Sequence, residues 1–215
     1  MNLTYNQFEI LVNIEKKQNE KNSQREIASD VNLSVGTVNK VISELLENGL
    51  VETSQNQNLK VTAKGYEVLE PHKVKRAIFL AAGFGSRMVP LTLNTPKPLI
   101  KVHGKRMIET LLDAVEKVGI EEIYIVRGYL GEQFEFLLHR YPKIQFIDNP
   151  LYNDANNISS AYMIKDLLEN AYVLESDLVL SNPDLIRKYE YGSNFLGIKV
   201  DRTDDWCFET KNWRN

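Results

Sequence analysis

The stretch Ala77-Ile78-Phe79-Leu80-Ala81-Ala82-Gly83-Phe84-Gly85-Ser86-Arg87-Met88, with Pro96-Lys97-Pro98-Leu99 close behind it, decides how this chain is read. Its first half is a short apolar run of the kind that forms a buried strand. Two glycines then open a tight loop in which the backbone can approach a ligand closely. Arg87 and Lys97 add two cations just beyond that loop. Small residues at a strand end, bare backbone N–H groups and positive charge make a cradle for a polyphosphate. Three familiar phosphate loops do not fit. A P-loop needs Gly-Lys-Ser/Thr, whereas Gly104-Lys105 is followed by Arg106. A dinucleotide fingerprint wants a third glycine where Met88 stands, and an acidic residue at the end of the next strand, where Val126-Arg127-Gly128 lies. A kinase glycine loop lacks its His-Arg-Asp counterpart.

Composition sets outer limits. The chain has 215 residues, room for one large or two small domains, with 43% hydrophobic and 26% charged residues, ordinary for a globular protein. No apolar run reaches the length of a membrane span, and the N-terminus lacks the basic-then-apolar pattern of a signal peptide. The lone Cys207 can neither form an internal disulfide nor supply a cysteine zinc site, which suits a reducing cytoplasm. A net charge of −3 makes the whole chain no electrostatic magnet for nucleic acid.

Residues 1–70 have the texture of a small helical module. Phe8, Leu11, Val12 and Ile14 recur at helical spacing, and Ser23-Gln24-Arg25-Glu26 is a capping box that opens a second helix. Ser34 is placed to cap a third helix carrying Val38, Val41, Ile42, Leu45 and Leu46, which stops at Asn48-Gly49. Leu50 to Val61 reads as two short strands around a wing, and Thr62-Ala63-Lys64-Gly65 begins a last helix. This order resembles the winged helix-turn-helix modules of bacterial regulators. In such modules the third helix enters the DNA major groove, and Ser34, Thr37, Asn39 and Lys40 are candidate contacts beside Glu44 and Glu47. Residues 1–71 hold seven Lys or Arg against ten Asp or Glu, a net −3, so DNA binding and protein docking both stay open. Residues 71–76, Pro71-His72-Lys73-Val74-Lys75-Arg76, read as a solvated basic linker.

Residues 77–215 alternate strand and helix. Met107, Ile108, Leu111, Leu112, Val115 and Val118 form one helical face; Glu122 to Val126, Lys143 to Ile147, Ala171 to Leu174 and Asn194 to Val200 read as strands. Further helices are expected at Phe134 to Tyr141, Ser159 to Leu168 and Pro183 to Lys188. The alternation predicts an α/β fold with a parallel, doubly wound, Rossmann-like sheet, whose ligands sit beyond the carboxyl ends of the strands. The glycine loop, Gly128 and Asp177 all follow strand ends. A carboxylate there beside a triphosphate is a natural magnesium ligand, its alternative being a loop-capping Asp.

The blocks Leu80-Ala81-Ala82-Gly83-x-Gly85-x-Arg87-Met88, Pro90-Leu91-Thr92 and Pro96-Lys97-Pro98-Leu99 together resemble the nucleoside-triphosphate transferase (nucleotidyltransferase) family. From about Lys75 onward, Gly128-Tyr129-Leu130, the segment Tyr152-Asn153-Asp154-Ala155-Asn156-Asn157-Ile158-Ser159-Ser160 and Asp205-Trp206-x-Phe208 resemble the bacterial CTP:phosphocholine cytidylyltransferases. The resemblance implies a magnesium-dependent transfer of CMP from CTP to phosphocholine. Arg87 and Lys97 would serve the triphosphate and Asp177 the metal. Leu80, Ala81, Ala82, Gly83, Gly85 and Gly128 would frame the nucleotide, and Asn156, Asn157 and Ser160 its junction with the acceptor. Choline's quaternary ammonium is held by aromatic faces and carboxylates, for which Tyr129, Tyr162, Asp205 and Trp206 are candidates. The family continues past the strand near Val200, where it supplies more strands and a second metal carboxylate, so the chain is expected to be a fragment or a truncated form. Longer relatives with this N-terminal module can carry a choline-kinase-like domain downstream. The competing readings are a sugar-1-phosphate nucleotidyltransferase and a ligand-sensing regulator without catalysis.

Overall fold

The computed structural model describes residues 2–18, 23–54, 58–154, 157–195, 197 and 200–202. The N-terminal module begins with α1 (Tyr5–Lys16), whose first turn is closed by a capping box between Thr4 and Gln7. The box read at Ser23 and Glu26 is formed and opens α2 (Gln24–Asp30). Ser34 accepts from the Thr37 N–H at the start of α3 (Val35–Glu47). An antiparallel pair, β1 (Val51–Thr53) and β2 (Leu59–Val61), makes the wing, and α4 (Ala63–Leu69) follows. Phe8, Leu11 and Ile14 from α1 meet Ile27, Val38, Val41, Leu45 and Leu50 in one buried core. The helical spacing of these residues is the reason for the fold: each helix buries one stripe.

The stretch expected to be a solvated linker is packed instead. Val74 is buried, and the His72 ring stacks on Tyr191 and tilts against Phe8. Basic residues outnumber apolar ones there, which hid the two positions that turn inward.

The α/β domain is built on β3 (Arg76–Ala81). A short hairpin, β4 (Lys101–Val102) and β5 (Lys105–Arg106), leads into α5 (Met107–Lys117). Then come β6 (Glu122–Arg127), β7 (Ile144–Asp148), α6 (Asn157–Met163) and β8 (Ala171–Glu175). The four long strands pair in the order β7-β6-β3-β8, all parallel. Alternation along β3 explains the two layers. Ala77, Phe79 and Ala81 face a core with Ile108, Leu112 and Val115 of α5, while Ile78 faces Val126 and Ile164 on the α6 side. Helices on both faces and parallel strands give the doubly wound arrangement.

Three expected elements differ. The run from Phe134 to Tyr141 holds a 3₁₀ helix, Gly131–His139, in which Phe134 and Leu137, three apart, bury on one side of the tighter turn, and the buried Tyr141 lies beyond its end. The helix near Pro183 is a single 3₁₀ turn, Pro183–Leu185. The described residues of the expected strand at 194–200 lie in no strand. The chain leaves β8 for the opposite end of the sheet, where Lys73 and Tyr189 form an isolated bridge and Tyr189 is buried in the N-terminal core.

Candidate active site

At the carboxyl end of β3 the chain turns under Ala82, whose carbonyl accepts from the Tyr129 N–H at 3.1 Å. The loop that follows folds back on the Pro-Lys-Pro block. Gly85 sits at φ +70°, and a Cβ there would lie 3.2 Å from the Lys97 Cβ and 3.1 Å from Thr92 Cγ2. The buried Thr92 hydroxyl donates to the Gly85 carbonyl at 3.0 Å. Thr92 stands in the Pro90-Leu91-Thr92 block, and its role is structural: a hydroxyl inside an apolar turn ties the loop down.

Lys97 begins the 3₁₀ turn Lys97–Leu99, and its ammonium meets the Asp177 carboxylate at 2.5 Å. Asp177 lies two residues beyond β8. Between them the buried Ser176 hydroxyl donates to the Leu80 carbonyl at 2.5 Å, tying the end of β8 to β3. Burial pushes the Glu175 carboxyl above its usual range; the Asp177 charge adds to this and Lys97 opposes it. The Lys97 ammonium is thus paired with Asp177, and the Glu175 carboxyl at the end of β8 lies near enough to feel both charges. Arg87, in the turn Ser86–Met88, is exposed, and among the described residues it forms no ion pair.

Gly128 completes the floor. A Cβ there would meet Tyr152 Cβ at 2.7 Å and the Ala82 carbonyl at 2.9 Å, so only glycine lets the loop after β6 approach the end of β3. Leu80, Ala81, Ala82, Gly83, Gly85, Gly128, Lys97 and Asp177 thus come together at one end of the sheet.

The expected acceptor residues gather less well. The Tyr129 hydroxyl donates to the Leu93 carbonyl at 2.7 Å and its ring sits edge-on to Phe84, so it braces the loop. Tyr162 is exposed, with the Lys165 ammonium 4.6 Å from its ring centroid. Ser160 is buried, and Asn149 donates to both Ser159 and Ser160 at 3.0 Å. Asn149 was not anticipated; its backbone N–H bonds the Arg127 carbonyl and its side chain accepts from the Leu151 N–H, so it knits β6, β7 and α6 together. Asn157 starts α6, but its side chain, Asn156, Asp205 and Trp206 lie outside the described residues.

Among the described residues no three His, Cys, Asp or Glu side chains converge on a metal site. Glu175 and Asp177 offer hard oxygen donors, and a magnesium ion bound by one or two carboxylates fills its other positions with phosphate oxygens and water. The donor set fits such an ion only when a polyphosphate accompanies it. In the N-terminal module, α3 exposes Asn39, Lys40 and Ser43, and no helix among the described residues is long and apolar enough to cross a membrane.

Residues 76–195 match the nucleotidyl transferase family. The chain belongs to that family. Residues 6–78 match the winged helix-turn-helix family, so the transferase domain carries a winged N-terminal module. The 2-aminoethylphosphonate cytidylyltransferase of Lancefieldella rimae is 45% identical over 136 residues, 62% of this chain and 55% of that protein. The choline-phosphate cytidylyltransferase of Streptococcus pneumoniae is 37% identical over 131 residues, 61% of this chain and 57% of that protein. A solved structure of CTP:phosphocholine cytidylyltransferase from Streptococcus pneumoniae superposes with a TM-score of 0.51 at 42% identity, covering 53% of this chain and 49% of the other. The chain thus spans about half the length of the curated relatives it matches.

Proposed function

We propose that the transferase domain moves CMP from CTP to a small phosphate or phosphonate that carries a cationic nitrogen, releasing pyrophosphate. The observation that carries this reading is the Lys97–Asp177 pair held at 2.5 Å beside the glycine loop. Two characterised relatives named for such acceptors, phosphocholine and 2-aminoethylphosphonate, support the acceptor class.

The chemistry asks little of the protein beyond placement. The acceptor's phosphorus-bound oxygen is already ionised, so no general base is required. It attacks the α-phosphorus of CTP in line, the bond to the bridging oxygen breaks, and its electrons leave with pyrophosphate. Positioning and charge neutralisation then supply most of the rate. Asp177 would hold a magnesium ion, which when bound neutralises charge on the phosphate oxygens. Lys97 and Arg87 would face the triphosphate, and the backbone from Leu80 to Gly83 with Gly128 would line the nucleotide. An acceptor ammonium is complementary to the second carboxylate, Glu175.

A pyrophosphate-release assay with MgCTP tests the reading, run separately with phosphocholine, 2-aminoethylphosphonate and glucose 1-phosphate. Release with either cationic acceptor and little with the sugar phosphate is expected. Release with the sugar phosphate alone, or with none of the three, overturns it. The ratio between the two cationic acceptors assigns the substrate.

A further inference from the structure

The segment 186–191 leaves the transferase domain, passes the amino end of β3 and enters the winged module. Val74 N–H bonds the Lys188 carbonyl and Glu190 N–H bonds the His72 carbonyl, both at 2.9 Å. Arg187 pairs with Glu9 of α1 through both guanidinium nitrogens, each at 3.1 Å. Lys188 meets Glu15 at 2.5 Å, and Lys16 reaches Asp184 at 3.5 Å. Tyr189 is only 3% exposed and belongs to the module's own core, while the Tyr191 hydroxyl donates to the Leu3 carbonyl at 3.0 Å. The segment is also tied to the strand that leads to Asp177: the Tyr172 hydroxyl of β8 donates to Glu190 at 2.5 Å and accepts from the Arg187 N–H at 3.1 Å.

We infer that residues 186–191 clamp the winged module to the transferase domain, so that the two unfold as one unit and nucleotide bound at the strand ends stabilises the module. The module's core lacks Tyr189 unless the transferase domain supplies it, and an Arg–carboxylate fork is stronger and more directional than a single exposed ion pair. A ligand that binds only the folded state stabilises every part of the cooperative unit it belongs to. In two independent domains it would stabilise its own domain alone. A tethered regulatory head would show the second behaviour; this interface predicts the first. The nucleotide half of the inference rests on the proposed function, and the clamp itself does not.

Two measurements on the full chain separate these halves. Calorimetry without ligand is expected to give one unfolding transition, and the double charge reversal Glu9→Arg with Glu15→Lys to split it into two. Restoring complementarity with Arg187→Glu and Lys188→Glu should bring the single transition back. Two transitions in the parent chain, or no effect of the reversal, overturn the clamp. Hydrogen exchange with MgCTP at about a hundred times its dissociation constant should slow the most protected amides of β3 and of α3 by a similar factor, approaching about a hundredfold. In the reversed variant only β3 should respond. Slowing confined to β3 in the parent chain overturns the coupling, whereas no slowing anywhere contradicts nucleotide binding and leaves the clamp to the calorimetric result.

Discussion

Asp177 and Asp113 each meet a lysine, yet they serve opposite ends. Asp113, on α5, also accepts from Arg140 at 2.9 Å and from the buried Tyr141 hydroxyl at 2.6 Å, in addition to Lys105. Both of its oxygens have donors, and it closes a seam between α5 and the turn before β7. Asp177 has one donor among the described residues, Lys97, and a second carboxylate beside it in Glu175. A saturated carboxylate is a fastener; an under-partnered one at the strand ends of an open α/β sheet is a place for a ligand.

The largest effect should fall on the open site. Asp177→Ala and Lys97→Ala are expected to cut turnover by roughly a hundred- to a thousandfold, the range seen when a preorganised charge contact is lost, while moving the melting temperature little. A large drop in stability with intact turnover would erase the contrast.

Asp113→Ala should do the reverse. It strands the Tyr141 hydroxyl without its acceptor, and losing a buried partner costs about 1–3 kcal/mol; denaturant titration should show that loss with CTP affinity unchanged. The same residue shapes the acid limb. Burial raises the Asp113 carboxyl, but the hydrogen bonds from Lys105 and Tyr141 outweigh it and hold the group below the ordinary value of 3.8. A depressed folded value contributes stability that is complete above 3.8 and lost as pH falls through the lower value. Asp113→Asn should therefore flatten the fall in stability below that pH, measured by urea midpoints across the acid range.

The smallest change tests the loop brace. Tyr129→Phe removes only the bond to Leu93 and should cost about 0.5–1.5 kcal/mol, with KM for the acceptor unaltered. A raised acceptor KM in that variant would return Tyr129 to the acceptor pocket.

Much of this contrast was legible in the sequence, and the illegible part has a common cause. Capping boxes, the wing and the glycine loop are local patterns, in which residues three or four apart decide the geometry, and the Ser23 box and the Ser34 cap stand where they were read. Lys97 and Asp177 came from motif spacing, since a strand end and a loop point at the same crevice. Ser176 and Asn149 carry no motif signal because each acts on a carbonyl or hydroxyl that only the fold brings near. Thr92 stands in the Pro90-Leu91-Thr92 block, but its tie to Gly85 shows only once the loop closes. The packed linker shares the origin of the clamp: Tyr189 looks like an ordinary surface aromatic until the N-terminal core closes on it.

Titrating MgCTP into the parent chain and into Lys97→Ala by calorimetry tests the central claim most directly. The account predicts saturable binding that needs the divalent ion and weakens by about ten- to a hundredfold in the variant, the worth of one hydrogen bond to a charged group. Equal affinity in the two proteins, or no saturable binding to the parent chain, would contradict it.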